Sequence, residues 1–224
     1  MMKKPTPAAR IKPVPLYQLR VDLDGAEPAV WRRLLVRRDV NLSLLHAALQ
    51  VAMGWSNSHL HQFVIERKRY STSYVGQHVY ADQEPDLEEA EFMLCNVVKR
   101  EQAQFVYEYD FGDCWLHLLT VEKIIRSGGP VCNVALCIDG ENACPPDDCG
   151  GIGGYAELLR IIRNPKHEEY TTMRTWLGGP FDPLAFDLAH TNKWLQKLKR
   201  PIMSDEQLAK VLITRDREKL RHSP

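Results

Sequence analysis

In the segment SNSHLHQFVIE, His59 and His61 stand two residues apart. That spacing puts both rings on one face of a strand. Neutral imidazole is a common metal ligand, so the pair can reach one ion, or it can simply decorate a strand end. The run FVYEYDFGDCWLHLLTVEKII alternates apolar and polar residues on both sides of Gly112-Asp113, the pattern of a β-hairpin. A two-residue loop at Gly112-Asp113 would set Tyr109 opposite Leu116 and Tyr107 opposite Leu118 on a core face shared with Phe105 and Phe111. It would set Glu108 opposite His117 and Asp110 opposite Trp115 on the other face. A carboxylate opposite an imidazole fixes its tautomer, either for structure or for acid–base work. With His59 and His61 on a neighbouring strand, His59, His61, Glu108, Asp110 and His117 would form a catalytic face. Its chemistry would be hydrolysis by metal-activated water with a carboxylate as general base.

A second group of ligand-type residues lies in CIDGENACPPDDCGGIGGY, residues 137–155. Cys132, Cys137, Cys144 and Cys149 have four, six and four residues between them. Thiolates suit zinc, but no C-x-x-C is present, so a structural zinc site and a metal-free packed loop both remain open. Asp139, Glu141, Asp147 and Asp148 can add hard ligands or keep the loop solvated. The glycines of GGIGG precede a helix start, a place that favours anions. Asp147 and Asp148 would repel a phosphate there, and no Walker lysine follows. A third group is basic. Arg32, Arg33, Arg37 and Arg38 lie on or just after the strand pattern of residues 30–36, and they could hold phosphate or pair with acids on adjacent strands.

These groups need elements to position them. Alternation predicts strands over 16–23 and 30–36, with Asp24-Gly25 as a turn. Asn41 is an N-cap for a helix through Met53, with Leu42, Leu45, Leu49 and Ala52 on one stripe and Gly54 as its left-handed end. A strand begins near His59. Residues 81–91 read as an acidic solvated loop. Beyond residue 150 the pattern is helical. Tyr155, Leu158, Leu159 and Ile162 share a face, and Asn164-Pro165 ends that run. Tyr170, Met173, Trp176 and Leu177 mark the next helix. Asp182-Pro183 reads as a helix start for a segment reaching about Leu198. Ser204–Gln207 has capping-box form, with Met203 able to staple onto Leu208, before a highly charged tail helix. Residues 137–155 therefore read as the joint where a sheet passes into helices. The fold class is α+β, with a mixed, largely antiparallel sheet, one early helix and a C-terminal helical half.

Bulk properties exclude some functions. The 224 residues carry 29 basic and 29 acidic side chains, a formal net charge of zero. A protein that held nucleic acid mainly by neutralising phosphates would carry a basic surplus. No apolar run is long enough for a transmembrane helix, so no membrane partner is expected. The start MMKKPTPAARIKPVP lacks the apolar stretch of a secretory signal, which makes the cytoplasm the expected compartment and thiols the expected state of the six cysteines.

The segments YQLRVDLDGAEPAVWRRLLV, MGWSNSHLHQF, YEYDFGDCWLHLLTVEKI, CIDGENACPPDDCGGIGGY, NPKHEEY and WLGGPFDPLAFDL together resemble the plasmid ORF-3-like family first named from an Ri plasmid. Its members are also labelled TnpR-type passenger proteins of insertion sequences. The resemblance covers residues 16–198 and implies one α+β domain, often near mobile elements, with no established reaction. Residues 1–15 would be a disordered arm and 199–224 a charged helical extension. Cys132 lies outside the shared pattern, which leaves Cys137, Cys144 and Cys149 short of a fourth ligand that a histidine could supply. The resemblance implies a non-catalytic binding module for protein or nucleic acid. The alternatives are the metal-dependent hydrolase or nuclease above and an interaction scaffold with a structural zinc loop. Zinc is the cofactor those alternatives would take; the first reading implies none.

Overall fold

The computed structural model describes residues 15–72, 86–126, 132–199 and 205–222. The strands are β1 (Leu16–Leu23), β2 (Trp31–Arg37), β3 (His61–Ile65), β4 (Lys68–Ser71), β5 (Leu87–Glu88), β6 (Gln104–Tyr109), β7 (Trp115–Ile125) and β8 (Ala135–Glu141). The helices are α1 (Leu42–Met53), α2 (Leu94–Val97), α3 (Gly151–Ile162), α4 (Tyr170–Trp176), α5 (Leu188–Leu195) and α6 (Asp205–His222), with a 3₁₀ turn at Glu89–Glu91. The strands form one sheet in the order β5-β4-β3-β6-β7-β1-β2-β8. Every neighbouring pair is antiparallel except β4 and β5, so the α+β expectation holds. The arm at residues 1–14, residues 81–85 of the acidic segment, and Met203 and Ser204 of the expected staple and capping box lie outside the described residues, while 87–91 form β5 and the 3₁₀ turn rather than a loop.

Side-chain parity explains the layers. Tyr17, Leu19 and Val21 of β1, Leu34 and Val36 of β2, and Phe105, Tyr107 and Tyr109 of β6 point to one face and are buried with α1. Asn41 caps α1, its Oδ1 accepting from the Leu44 N–H at 3.0 Å, and Gly54 ends the helix with φ of 100°. The edge of β8 is closed by α5. The Asn192 side chain accepts from the Cys137 N–H at 2.8 Å and donates to the Cys137 carbonyl at 2.7 Å, as a neighbouring strand would.

The β6–β7 register differs from expectation by one residue. Tyr109 pairs with Trp115, Glu108 with Leu116 and Tyr107 with His117. The cause is the loop, which runs from Asp110 to Cys114 rather than through Gly112-Asp113 alone. Asp110 and Cys114 take left-handed backbone at φ 58° and 54°, and the Cys114 N–H donates to the Asp110 carbonyl at 2.6 Å. Because side chains alternate, this slip moves every β7 residue to the opposite face from the one expected. Trp115 and His117 enter the core, while Leu116 and Leu118 face outward. Two helical expectations also shift. Asp182-Pro183 makes a turn, with Asp182 Oδ1 accepting from the Leu184 N–H at 3.0 Å, and α5 starts later with Asp187 as its cap. The highly charged tail helix buries one of its charges, Arg215, beside Leu208 and Leu212.

Arg32 is not a surface cation. It is buried, and its guanidinium donates to the carbonyls of Ala52 (2.9 Å), Trp31 (2.7 Å), Glu141 (2.8 Å) and Asn142 (2.9 Å) while lying over the Phe186 ring. Gly140 leaves room for this stack, since a Cβ there would meet Phe186 and Arg32 at 2.8 and 2.9 Å. Arg33, on the outward face, pairs with Glu122 and Asp139. An Arg32→Ala variant should lose about 3 kcal/mol of unfolding free energy, because buried carbonyls lose their donors. Arg33→Ala should lose less than about 1 kcal/mol, as for other solvent-facing pairs. Urea unfolding of both variants checks the contrast.

Candidate functional site

Three loops converge at one end of β3, β6 and β7: residues 55–60, 110–114 and 142–150. The strand expected from His59 begins at His61, so His59 sits in the first loop. The Asp110 carboxylate builds the second loop from within, Oδ1 accepting from the Gly112 N–H at 2.9 Å and the Asp113 N–H at 3.4 Å. Asp113 holds the third loop by accepting from the Gly150 N–H at 3.0 Å. Asp147 ties the third loop to the first, its Oδ2 accepting from both the backbone N–H (3.0 Å) and the hydroxyl of Ser56. Gly151 has φ of +66°, and a Cβ on it would lie 2.5 Å from the Asp113 carbonyl oxygen; on Gly154 it would lie 1.9 Å from that of Cys149. The glycine run thus permits close backbone approach rather than anion binding.

His59 stands where the loops meet. Its Nε2 is 3.2 Å from Asp148 Oδ1, and its Nδ1 is 3.6 Å from Asp110 Oδ2. Neither contact is a hydrogen bond: the second is too long, and Nε2 is a buried atom without a hydrogen-bond partner. Ligand atoms of His59, Asp110 and Asp148 all lie within 4.8 Å of one another. A cavity of about 510 Å³ opens beside them, lined by Asn57, His59, His61, Thr72, Asp110 and Phe111 among others. Asp148 holds its position through left-handed backbone, φ 60°, a conformation aspartate tolerates better than most residues.

Behind the cavity lies a buried polar network. The His61 and His46 rings stack in parallel with centroids 3.5 Å apart. His61 Nε2 pairs with Glu89 at 2.9 Å, and both side chains are buried. His46 meets the Tyr107 hydroxyl at 2.8 Å and Asn57 Oδ1 at 2.7 Å, and Gln50 donates to the same hydroxyl at 2.8 Å. Burial, with the neighbouring His61 adding to it, holds His46 well below the usual imidazole range.

Of the five residues expected to share a catalytic face, the structure brings together His59 and Asp110, with His61 in the cavity wall. His117 is fully buried behind β6 and β7. Its Nδ1 faces the carbonyls of Trp115 (3.0 Å) and Tyr107 (3.3 Å), and its Nε2 accepts from Trp55 at 3.3 Å. That arrangement fixes a neutral tautomer. Glu108 lies on the outward face and accepts from Gln62 at 2.5 Å. The one-residue register shift turns His117 inward, while the β3–β6 register, which sets Gln62 beside Glu108 and His61 beside Tyr109, puts Glu108 on the face opposite His61.

The cysteines do not converge. Among the described residues, no group of three ligand atoms within 4.8 Å includes a sulfur. Cys137 is buried, its thiol donating to the Asp139 carbonyl at 3.3 Å. Burial pushes the Cys137 thiol up to about 11 and the Cys149 thiol up to about 12. The basic stripe is also dispersed. Arg32 is buried, Arg33 has its acids, Arg37 pairs with Asp39 at 2.7 Å, and Arg38 lies over the Tyr17 ring. Glu157, His167 and Glu169 form a second carboxylate–imidazole group, but Arg160 already occupies its centre, bonded to Glu157 and 2.9 Å from His167 Nε2. Ser56, His46 and Glu89 carry no sequence signal as site residues, and Asp147 and Asp148 were expected as hard ligands beside the cysteines rather than beside His59. The signal for Asp147 and Asp148 was the acid pair in the PPDDC motif.

The sheet and its three strapped loops define an α+β fold with a small cavity beside His59 and Asp110. The chain belongs to the plasmid pRiA4b ORF-3-like protein family, whose model matches residues 15–190. It is 33% identical over 194 residues to the uncharacterized protein y4hQ of Sinorhizobium fredii, covering 83% of this chain and 97% of that one. Its fold is similar to the crystal structure of MM3350 from Methanosarcina mazei, a protein of unknown function. The TM-score is 0.66 and the identity 31%, over 78% of this chain and 96% of that one.

Burial lowers the His117 imidazole to about 4, against 6.5 for the free group. The folded state therefore binds fewer protons than the unfolded state between those values. The stabilisation from neutral His117 is complete above pH 6.5 and is lost as pH falls toward 4, on the order of 3 kcal/mol in all. His46 acts in the same direction. Chemical denaturation at pH 7 and pH 4.5 should show this loss, with a shallower pH dependence in His117→Gln. At pH 8, iodoacetamide should label the exposed Cys114 and spare Cys137, as read by peptide mass spectrometry.

Proposed function

We propose that this chain is a divalent-metal-dependent hydrolase whose metal ligands are His59, Asp110 and Asp148. One observation carries the reading. A histidine with a carboxylate beside each ring nitrogen, and no hydrogen bond at Nε2, lies at the wall of a cavity of about 510 Å³. One imidazole and two carboxylates suit zinc, manganese or iron. Three protein ligands leave coordination positions free, and a site of that kind is suited to polarising a substrate oxygen or activating water. The cavity volume fits a small molecule or a single side chain. The pairing of Arg33 and Arg37 with acids and the burial of Arg32 leave little support for a nucleic-acid polymer as substrate or partner.

A second reading is a non-catalytic binding module in which the ion only anchors a ligand. It is favoured by the carboxylates of Asp110, Asp113 and Asp147, each of which already accepts hydrogen bonds within the loops, and by the Glu89 partner of His61. These commitments leave few groups to act as general base. A scaffold with a structural zinc loop has less support, because the sulfurs of Cys137, Cys144 and Cys149 are not grouped.

Calorimetric titration of chelator-treated protein with zinc and manganese should give one equivalent bound. Affinity should fall about 10–100-fold in His59→Ala and Asp148→Asn without loss of fold. Asparagine keeps the left-handed backbone at position 148 while weakening the ligand. Metal-dependent turnover of activated ester and phosphoester substrates that vanishes in both variants supports the hydrolase. Binding without turnover favours the module. No binding at millimolar metal rejects both.

A further inference from the structure

The carbonyl end of α1 needs cations, and α1 has no basic residue in its last turn. Arg32 reaches the Ala52 carbonyl. The carbonyls of Gln50, Gly54 and Trp55 on either side of it are met by Arg215 of α6, a helix that begins after the family match ends at residue 190. Leu208, Leu212 and Arg215 share one helical face and are all buried. The Arg215 guanidinium is 2% exposed. It donates to the carbonyls of Gln50 (3.3 Å), Gly54 (3.2 Å) and Trp55 (2.9 Å), and its Nε donates to Asp216 at 2.8 Å. Those carbonyls are where α1 passes into the loop that carries His59. Gln50 also accepts from the Asn57 N–H through its side chain at 2.8 Å, and Ser56, next after Trp55, is the residue held by Asp147. On the solvent side, Glu218 ties α6 to Lys193 of α5 at 2.6 Å.

We propose that α6 is a latch added to the family domain, and that Arg215 is the positioning residue through which it sets residues 54–60 and hence His59. Docked α6 holds the end of α1 through the Gln50 carbonyl and the start of that loop through those of Gly54 and Trp55, and its release frees the loop to move away from Asp110 and Asp148. The effect on metal rests on the reading of His59 as a ligand, whereas the effect on loop order does not. A guanidinium can meet three carbonyls in a fixed fork, and a lysine ammonium at the same place can meet fewer.

Hydrogen exchange of full-length wild type, Arg215→Ala, Arg215→Lys and Lys193→Ala, each with and without zinc, tests this. In Arg215→Ala, amides of residues 54–60 should exchange about tenfold faster, with β6 and β7 unchanged, and zinc affinity should fall in step. Arg215→Lys should lie between that variant and wild type, and Lys193→Ala, which cuts the exposed α5–α6 pair and leaves Arg215 in place, should match wild type over 54–60. The proposal is overturned if residues 54–60 exchange at the wild-type rate in both Arg215 variants, or if protection falls equally across the sheet. Wild type that binds no zinc while residues 54–60 still loosen in the variants would reject the metal centre and keep the latch.

Discussion

The carbonyl end of α1 is the point on which the rest of this structure depends. A helix leaves its last carbonyls without partners, and here that end is buried against the sheet rather than exposed to water. Two guanidiniums satisfy it. Arg32 reaches in from β2 and also ties down the end of β8, while Arg215 reaches in from α6. An arginine inside a core is costly unless every donor is used. Arg32 places four of its five N–H donors on backbone carbonyls from three separate segments, so it orients α1, β2 and the start of the loop after β8 together.

From that fixed point the chain enters the loop of residues 55–60, and acidic side chains do the remaining positioning. Asp110, Asp113 and Asp147 each accept from backbone N–H groups of the loops they join. The outcome is a concentration of carboxylates around one imidazole, His59. Such a group repels phosphate and favours cations, which is the ground on which we propose a metal centre rather than an anion pocket. The outward face of the sheet is balanced instead. Arg20, Arg33, Asp22, Glu122 and Asp139 neutralise one another there, with Trp31 beneath the Arg20 guanidinium.

Much of the fold was legible because its signals are local. The caps of α1 at Asn41 and Gly54, the inward parity of Leu34 and Val36, and the stop at Asn164 each depend on a few adjacent residues. The β6–β7 hairpin was legible as a hairpin but not in register. Gly112-Asp113 looks like a two-residue turn, yet the Asp110 side chain builds a longer loop, and side-chain alternation turned that single residue into the exchange of a catalytic His117 for a buried one. The site was legible in part. His59 and Asp110 were named together, whereas Asp148 was placed with the cysteines; it is distant in sequence from His59 and is brought beside it in a loop whose Asp147 is bonded to Ser56.

By itself the sequence determined the class of fold, the buried stripe and caps of α1, and the family to which the chain belongs, because those follow from periodicity, capping and motif order along the chain. Only the tertiary structure decided which histidine meets which carboxylate, that the cysteines stay apart, and that Arg32 and Arg215 are internal struts rather than surface cations. Those outcomes depend on register and on loop-to-loop contacts between residues as far apart as Gln50 and Arg215. No local pattern encodes the distance between such residues.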